Sequence, residues 1–181
     1  RPGSRQLVIE REPAVVELVT RKLPPLPPDV RIQVGDARDA VADAPPATYD
    51  LVLADIYRAA RMPRHVRTVE FAAEVAATLR PDGIYLVNLT DLPPLVATRV
   101  QVATLREVFA DVCLLADRRM LRGRRYGNLV LAAAPTPGRL PVARLVTAAV
   151  RDPLPGVVLH GTALDTFVAG ALPTTDADTR D

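Results

Sequence analysis

The chain has 181 residues, of which 49% are hydrophobic and 24% are charged, and it carries a formal net charge of +2 at pH 7. This composition is typical of a soluble globular protein, and the length suits one domain with an appendage. No apolar run is long enough for a membrane span. The single cysteine, Cys113, excludes an intramolecular disulfide and a cysteine-based metal cluster and suits a cytoplasmic protein.

The first part of the sequence alternates strands with helices. Apolar runs predict strands at residues 5–10, 30–37 and 49–55. Helical spacing predicts a helix at residues 12–23, and a short helix follows the second strand. Pro13 fits the first turn of its helix, because the amide there has no intrahelical partner.

The second part continues this alternation and then changes it. The sequence predicts helices at 69–79 and 93–109, a fourth strand at 80–91, and closing strands at 111–121 and 127–135. No helix is predicted between the closing strands, so we expect an antiparallel hairpin joined by the arginine-rich segment 118–126. The fold class is therefore α/β, a doubly wound and mostly parallel sheet with an antiparallel closing hairpin.

After Pro135 the pattern weakens. Residues 141–151 and 162–172 predict two short helices, and a polar tail follows them. We therefore expect a nucleoside-binding α/β domain at 1–135 and a proline-rich C-terminal extension at 136–181.

Three acidic residues follow apolar strands directly. Glu10, Asp36 and Asp55 each stand at the carboxyl end of a predicted strand. Parallel strands bring such residues to one edge of a sheet, where ligands bind. A carboxylate there can accept hydrogen bonds from both hydroxyl groups of a ribose. Alternatively, such an acid caps the next helix.

Several segments in this order resemble a known family. "LVIEREPAVVEL", "VGDAR", "YDLVLADIY" and "VRTVEFAAEVAATLRPDGIYLVNL", together with the closing hairpin, resemble the spermidine synthase-like branch of the class I S-adenosylmethionine-dependent methyltransferase superfamily. The resemblance covers roughly residues 5–134. It implies transfer of an aminopropyl or methyl group from decarboxylated S-adenosylmethionine or S-adenosylmethionine, with no metal.

The resemblance also implies residue roles. Glu10 would hold the ribose hydroxyl groups, with Arg11 beside the adenine. Asp36 would accept a hydrogen bond from the adenine amino group, with Gly35 before it and Ala37 leaving room for the ring. Asp55 would orient the attacking amine and help to deprotonate it, because an ammonium group is not a nucleophile.

The loop after Asp55 departs from this pattern. Polyamine synthases usually carry a second acid three residues after the first, and here that position is Arg58, followed by Arg61 and Arg64. A cation there would repel the dication putrescine by on the order of 1 kcal/mol at close range. We therefore expect a small, anionic acceptor, although a solvated loop explains the arginines equally well.

A second departure concerns the cofactor. The family's first strand and glycine-rich turn would precede Arg1, and we expect the sequence to be an N-terminally truncated piece of a longer protein. If it is complete, a partner chain would supply the strand, or the domain would be catalytically degenerate and serve nucleoside binding or assembly. A homodimer and the choice between methyl and aminopropyl transfer are both left open.

The remaining candidates are weaker. Asn88 and Asp91 end the fourth strand, where they could face the acceptor, and Thr68 and Phe71 are expected to be structural. Segment 118–126 holds five arginines in nine residues. It lacks the flanking aromatic residues that stack on single strands, so nucleic acid is the least favoured partner.

Overall fold

A computed structural model describes residues 3–58, 61–153 and 156–179. The chain forms two compact units, Arg1–Ala44 and Pro45–Asp181. No helix within the described ranges is long and apolar enough to cross a membrane. The α/β class predicted from the sequence is confirmed.

The first unit consists of two strand–helix pairs. Its elements are β1 (Gln6–Glu10), α1 (Pro13–Lys22), β2 (Val30–Val34) and α2 (Ala37–Ala42). The two strands pair in parallel, from Gln6 opposite Val30 to Glu10 opposite Val34. None of its described residues is buried, and apolar side chains such as Leu7 and Leu18 are exposed.

The second unit holds a five-stranded sheet. Its elements are β3 (Tyr49–Ala54), a 3₁₀ helix (Arg64–Val66), α3 (Val69–Thr78), β4 (Leu79–Asp91), α4 (Val96–Arg106), β5 (Asp111–Asp117), α5 (Arg118–Leu121), β6 (Gly127–Ala134), α6 (Val142–Arg151), β7 (Gly156–Leu159), α7 (Thr162–Val168) and a second 3₁₀ helix (Asp176–Thr179). The strand order is β3-β4-β6-β5-β7. β3 and β4 are parallel, whereas β6 pairs antiparallel with both β4 and β5, which confirms the closing hairpin.

The sheet of the second unit has a small buried cluster of Cys113, Ala132, Ala134 and Leu140 on one face, and its main core lies on the other. Alternate residues of β4 and β6 point into it, among them Tyr85, Val87, Leu129 and Leu131, each at most 1% exposed. Helices α3 and α4 contact that face of β4. The polar residues Asn88 and Thr90 belong to the opposite face, because side chains alternate along a strand.

Two elements differ from the sequence prediction. Segment 118–126 was expected to be a strand end and loop, but Arg118–Leu121 form α5, and the side chain of its N-cap residue Asp117 accepts a hydrogen bond from the amide of Arg119. Within the C-terminal extension, β7 was not predicted, and it pairs antiparallel with β5. The two short helices predicted there are confirmed as α6 and α7. The functional boundary at residue 135 stays a prediction.

Candidate active site

In the first unit, Glu10 and Asp36 lie at the same edge of the strand pair. Glu10 is opposite Val34, and the amide of Gly35 donates a hydrogen bond of 3.0 Å to the carbonyl oxygen of Glu10. The chain therefore leaves β2 beside the end of β1 and delivers Asp36 there. A Cβ atom built on Gly35 would meet nothing within 4 Å, so this edge is open to a ligand.

Each of these carboxylates also bonds to the start of the helix that follows it. Glu10 Oε1 accepts a hydrogen bond of 2.8 Å from the amide of Glu12, and Asp36 Oδ1 accepts one of 2.8 Å from the amide of Arg38. Asp36 is the N-cap of α2, the local role that the sequence left open beside adenine binding. Glu10 Oε2 has no hydrogen-bond partner among the described residues, so it is available to a ligand.

The other two predicted cofactor residues flank this edge. Arg11 is exposed in the turn between β1 and α1, and Ala37 is the half-buried first residue of α2. Their contacts with adenine, like those of Glu10 and Asp36, stay predictions. Asp55 was expected to form one site with Glu10 and Asp36. This also stays a prediction, because Asp55 belongs to the second unit.

In the second unit, Asp55 follows β3 and is held by the neighbouring strand. Asn88 Nδ2 donates a hydrogen bond of 2.8 Å to Asp55 Oδ1. The Tyr57 hydroxyl donates one of 3.0 Å to the carbonyl oxygen of Asn88. Asp55 itself is exposed. Its carboxylate is thus oriented by a side-chain amide and remains open to an acceptor.

The Tyr57 hydroxyl is kept in its protonated, donating form. Burial raises the pKa of Tyr57, and the nearby Asp55 and Tyr126 raise it further, against the hydrogen bonding of Thr90. Because the phenol stays neutral at ordinary pH, it adds no negative charge beside the Asp55 carboxylate. It therefore serves to fix the end of β4.

Asp91 is not available to an acceptor, so that candidate is wrong. It is only 9% exposed. Its Oδ1 accepts a hydrogen bond of 2.8 Å from the amide of Leu92, and Oδ2 accepts from the amide and hydroxyl of Thr98 at 2.9 and 2.8 Å. Asp91 therefore holds the turn between β4 and α4. Thr68 is structural as expected, because its hydroxyl caps α3 at the amide of Phe71.

The arginine loop is the segment from Arg58 to Arg67, described here except for residues 59 and 60. Arg58 and Arg61 form a tight backbone turn, with N–O distances of 2.8 and 3.2 Å. Met62 and Val66 are buried and anchor the loop to the core. Arg58, Arg61 and Arg64 are themselves exposed, so solvation of these three side chains remains an alternative to acceptor binding.

Arg67 is the residue of this loop that the sequence analysis missed. It is half-buried, and its Nε atom is buried with no hydrogen-bond partner among the described residues. Burial lowers the pKa of Arg67, and Arg64 and Arg61 lower it further. The spacing of three residues in the series 58, 61, 64 and 67 was a signal that could have identified it.

No metal site is formed by the described residues. Within 3–58, 61–153 and 156–179, no three histidine, cysteine, aspartate or glutamate side chains are grouped to hold a metal ion. Among the described residues, the carboxylates at the two strand ends accept hydrogen bonds from amide groups.

The whole structure is similar to known enzymes. A probable spermidine synthase from Corynebacterium glutamicum superposes with a TM-score of 0.86 over 97% of this chain and 64% of that chain, at 28% identity. The chain has the spermidine synthase-like class I methyltransferase fold. It spans about 64% of the length of that protein. No protein-family model and no curated protein matches the sequence.

More distant structures share the fold. Spermidine synthase from Thermotoga maritima matches with a TM-score of 0.57, at 15% identity, over 74% of this chain and 46% of that chain. Human methyltransferase-like protein 13, solved in complex with SAH, matches with a TM-score of 0.60, at 19% identity, over 94% of this chain and 73% of that chain. At these identities the likenesses show a shared fold alone.

Proposed function

We propose that the chain is a spermidine synthase-like transferase domain that binds S-adenosylmethionine or decarboxylated S-adenosylmethionine and transfers a methyl or aminopropyl group to a small acceptor. The observation that carries this proposal is the match to the Corynebacterium glutamicum protein along 97% of this chain. An open strand edge with a free carboxylate oxygen, Glu10 Oε2, supports it further.

The residues fit the cofactor by the chemistry of their donors and acceptors. Glu10 would accept hydrogen bonds from ribose hydroxyl groups through its free oxygen, and Asp36 would face the adenine amino group beside Gly35 and Ala37. Arg11 would lie against the ring. When bound, the sulfonium group supplies an activated carbon and a neutral thioether leaving group.

Asp55 is proposed to prepare the acceptor. Its carboxylate would accept the proton of an ammonium group, which frees the nitrogen lone pair to form the N–C bond as the C–S bond breaks. The hydrogen bond from Asn88 fixes one carboxylate oxygen, so the other can face the amine. Correct placement supplies much of the rate in such an in-line displacement.

A second candidate is a catalytically degenerate domain that binds a nucleoside or serves assembly. Two observations favour it: Glu10 and Asp36 both already bond to local amides, and Arg58 stands where polyamine synthases have an acid. Such a domain would bind the nucleoside without transferring a group.

Calorimetry with S-adenosylmethionine, decarboxylated S-adenosylmethionine and methylthioadenosine tests the proposal. We expect at least one ligand to bind, and Glu10→Ala to weaken that binding about tenfold or more, since one charge-assisted contact is lost. Glu17→Ala is the matched control, because Glu17 forms an exposed salt bridge with Arg21 on the surface of α1.

Three outcomes separate the readings. If none of the three ligands binds, the transferase proposal is wrong. If Glu10→Ala binds the ligand as tightly as the original chain, Glu10 does not hold the ribose hydroxyl groups, and only the fold assignment is retained. If a ligand binds but mass spectrometry detects no transfer product with any candidate amine, the degenerate domain is favoured.

A further inference from the structure

The arginine loop holds a cation that the described protein does not neutralise. Arg67 Nε is buried without a hydrogen-bond partner, and Arg58 and Arg61 bond to each other only through their backbones. A half-buried guanidinium group without an acceptor is unfavourable, because its lost hydration is not replaced. A ligand with an acceptor group would replace that lost hydration.

Two acidic side chains near this loop, Glu70 and Asp178, accept hydrogen bonds from groups outside it. Glu70 Oε2 accepts a hydrogen bond of 2.9 Å from the amide of Asp176, and Asp178 Oδ2 accepts from the amide and hydroxyl of Thr175, both at 2.7 Å. The C-terminal 3₁₀ helix that contains Asp176 and Asp178 contacts the 3₁₀ helix Arg64–Val66. The tail therefore packs beside the loop, and the carboxylate of Asp178 accepts its hydrogen bonds from within the tail.

The loop is also fixed in position. Val66 is 1% exposed and Thr68, next to Arg67, is fully buried as the cap of α3. The backbone of Arg67 thus lies between two anchored residues. The planar guanidinium group binds carboxylate and phosphate through paired N–H donors.

We propose that Arg67, assisted by Arg61, binds an oxyanion group, a carboxylate or a phosphate, carried by the acceptor molecule. The inference rests on the proposed transferase function and names its acceptor class. An acceptor with an amine at one end would meet Asp55, which precedes the arginine loop by three residues in the sequence, while its anionic group binds the arginines. Putrescine, which has two cationic ends, is disfavoured.

The test uses the full chain without cofactor. Citrate and phosphate are titrated calorimetrically as carboxylate and phosphate probes, with putrescine as the cationic probe. We expect one or both anions to bind, and Arg67→Gln and Arg61→Gln each to weaken that binding about tenfold. Arg144→Gln, which removes the same charge from the exposed face of α6, is expected to leave it unchanged.

If Arg67→Gln fails to fold, Arg61→Gln tests the inference by itself. Arg61 is exposed, so its replacement is expected to leave folding intact. Binding of phosphate alone assigns a phosphate group, and binding of citrate alone a carboxylate. The inference is overturned if neither anion binds, if Arg144→Gln weakens binding equally, or if putrescine binds as tightly as the anions. Cofactor binding is measured separately, so anion binding without cofactor binding would remove the transferase proposal and keep the anion site.

Discussion

The Tyr85 hydroxyl group lies in the core of the second unit with no hydrogen-bond partner among the described residues. Its ring stacks on Phe109, with 5.8 Å between the ring centroids, and the side chain is 1% exposed. Burial raises the pKa of Tyr85 strongly, so the group stays a neutral phenol. The ring therefore contributes packing, and the hydroxyl contributes a desolvation cost.

Tyr85→Phe is expected to stabilise the protein. It removes the unpaired hydroxyl and keeps the ring, so the free energy of unfolding should rise by about 1 kcal/mol. Urea unfolding measures this change, and Tyr49→Phe, at a less buried position on β3, serves as the control. A loss of stability in Tyr85→Phe would mean that the hydroxyl has a partner, such as a buried water molecule.

At the scale of elements, α3 begins where the arginine loop ends, and Thr68 joins the two. Its hydroxyl oxygen accepts a hydrogen bond of 3.2 Å from the amide of Phe71, at a fully buried position. Thr68→Val keeps the side-chain volume and leaves that amide unpaired. We expect a loss of about 1–2 kcal/mol in unfolding free energy, whereas Thr68→Ser should retain most of the stability. Equal stability of the valine variant and the original chain would contradict the capping role.

Most elements could be predicted from the sequence because their apolar periodicity is strong. β1 to β6 and the longer helices lie within a few residues of their predicted bounds. β7 was missed because it has only four residues, "GVVL", with no alternation of polar and apolar side chains. Its strand conformation comes from pairing with β5, a contact distant in sequence.

The candidate site was predictable only in part. The positions of Glu10, Asp36 and Asp55 at strand ends could be predicted, because each acid comes directly after a predicted strand in the sequence. The hydrogen-bond partners do not follow: Asn88 and Asp91 lie three residues apart, yet one orients Asp55 and the other holds a turn. The two roles differ because the two side chains lie on opposite faces of β4. Which face is buried depends on the packing of α3 and α4.

The two units of the molecule differ in how much apolar surface they bury. Every buried hydrophobic residue among the described ranges lies between Ala54 and Val168, in the second unit. In the first unit, Val8 and Val34 on the paired strands are 43% and 49% exposed. Because burial of apolar surface is the main stabilising term, the second unit has the greater local stability.

Amide hydrogen exchange on the full chain measures this difference. We expect amides in β4, β5 and β6 to be the most protected, and those in β1, α1 and β2 to exchange at least about 100-fold faster, because opening the first unit exposes little buried surface. Equal protection in both units would mean that the strands of the first unit are covered in solution.

A ligand that binds only the folded edge at Glu10 and Asp36, present at about 100 times its Kd, adds about 2.7 kcal/mol of protection. Added methylthioadenosine should therefore slow exchange first in β1 and β2, and a slowing confined to β4–β6 would place the nucleoside away from Glu10.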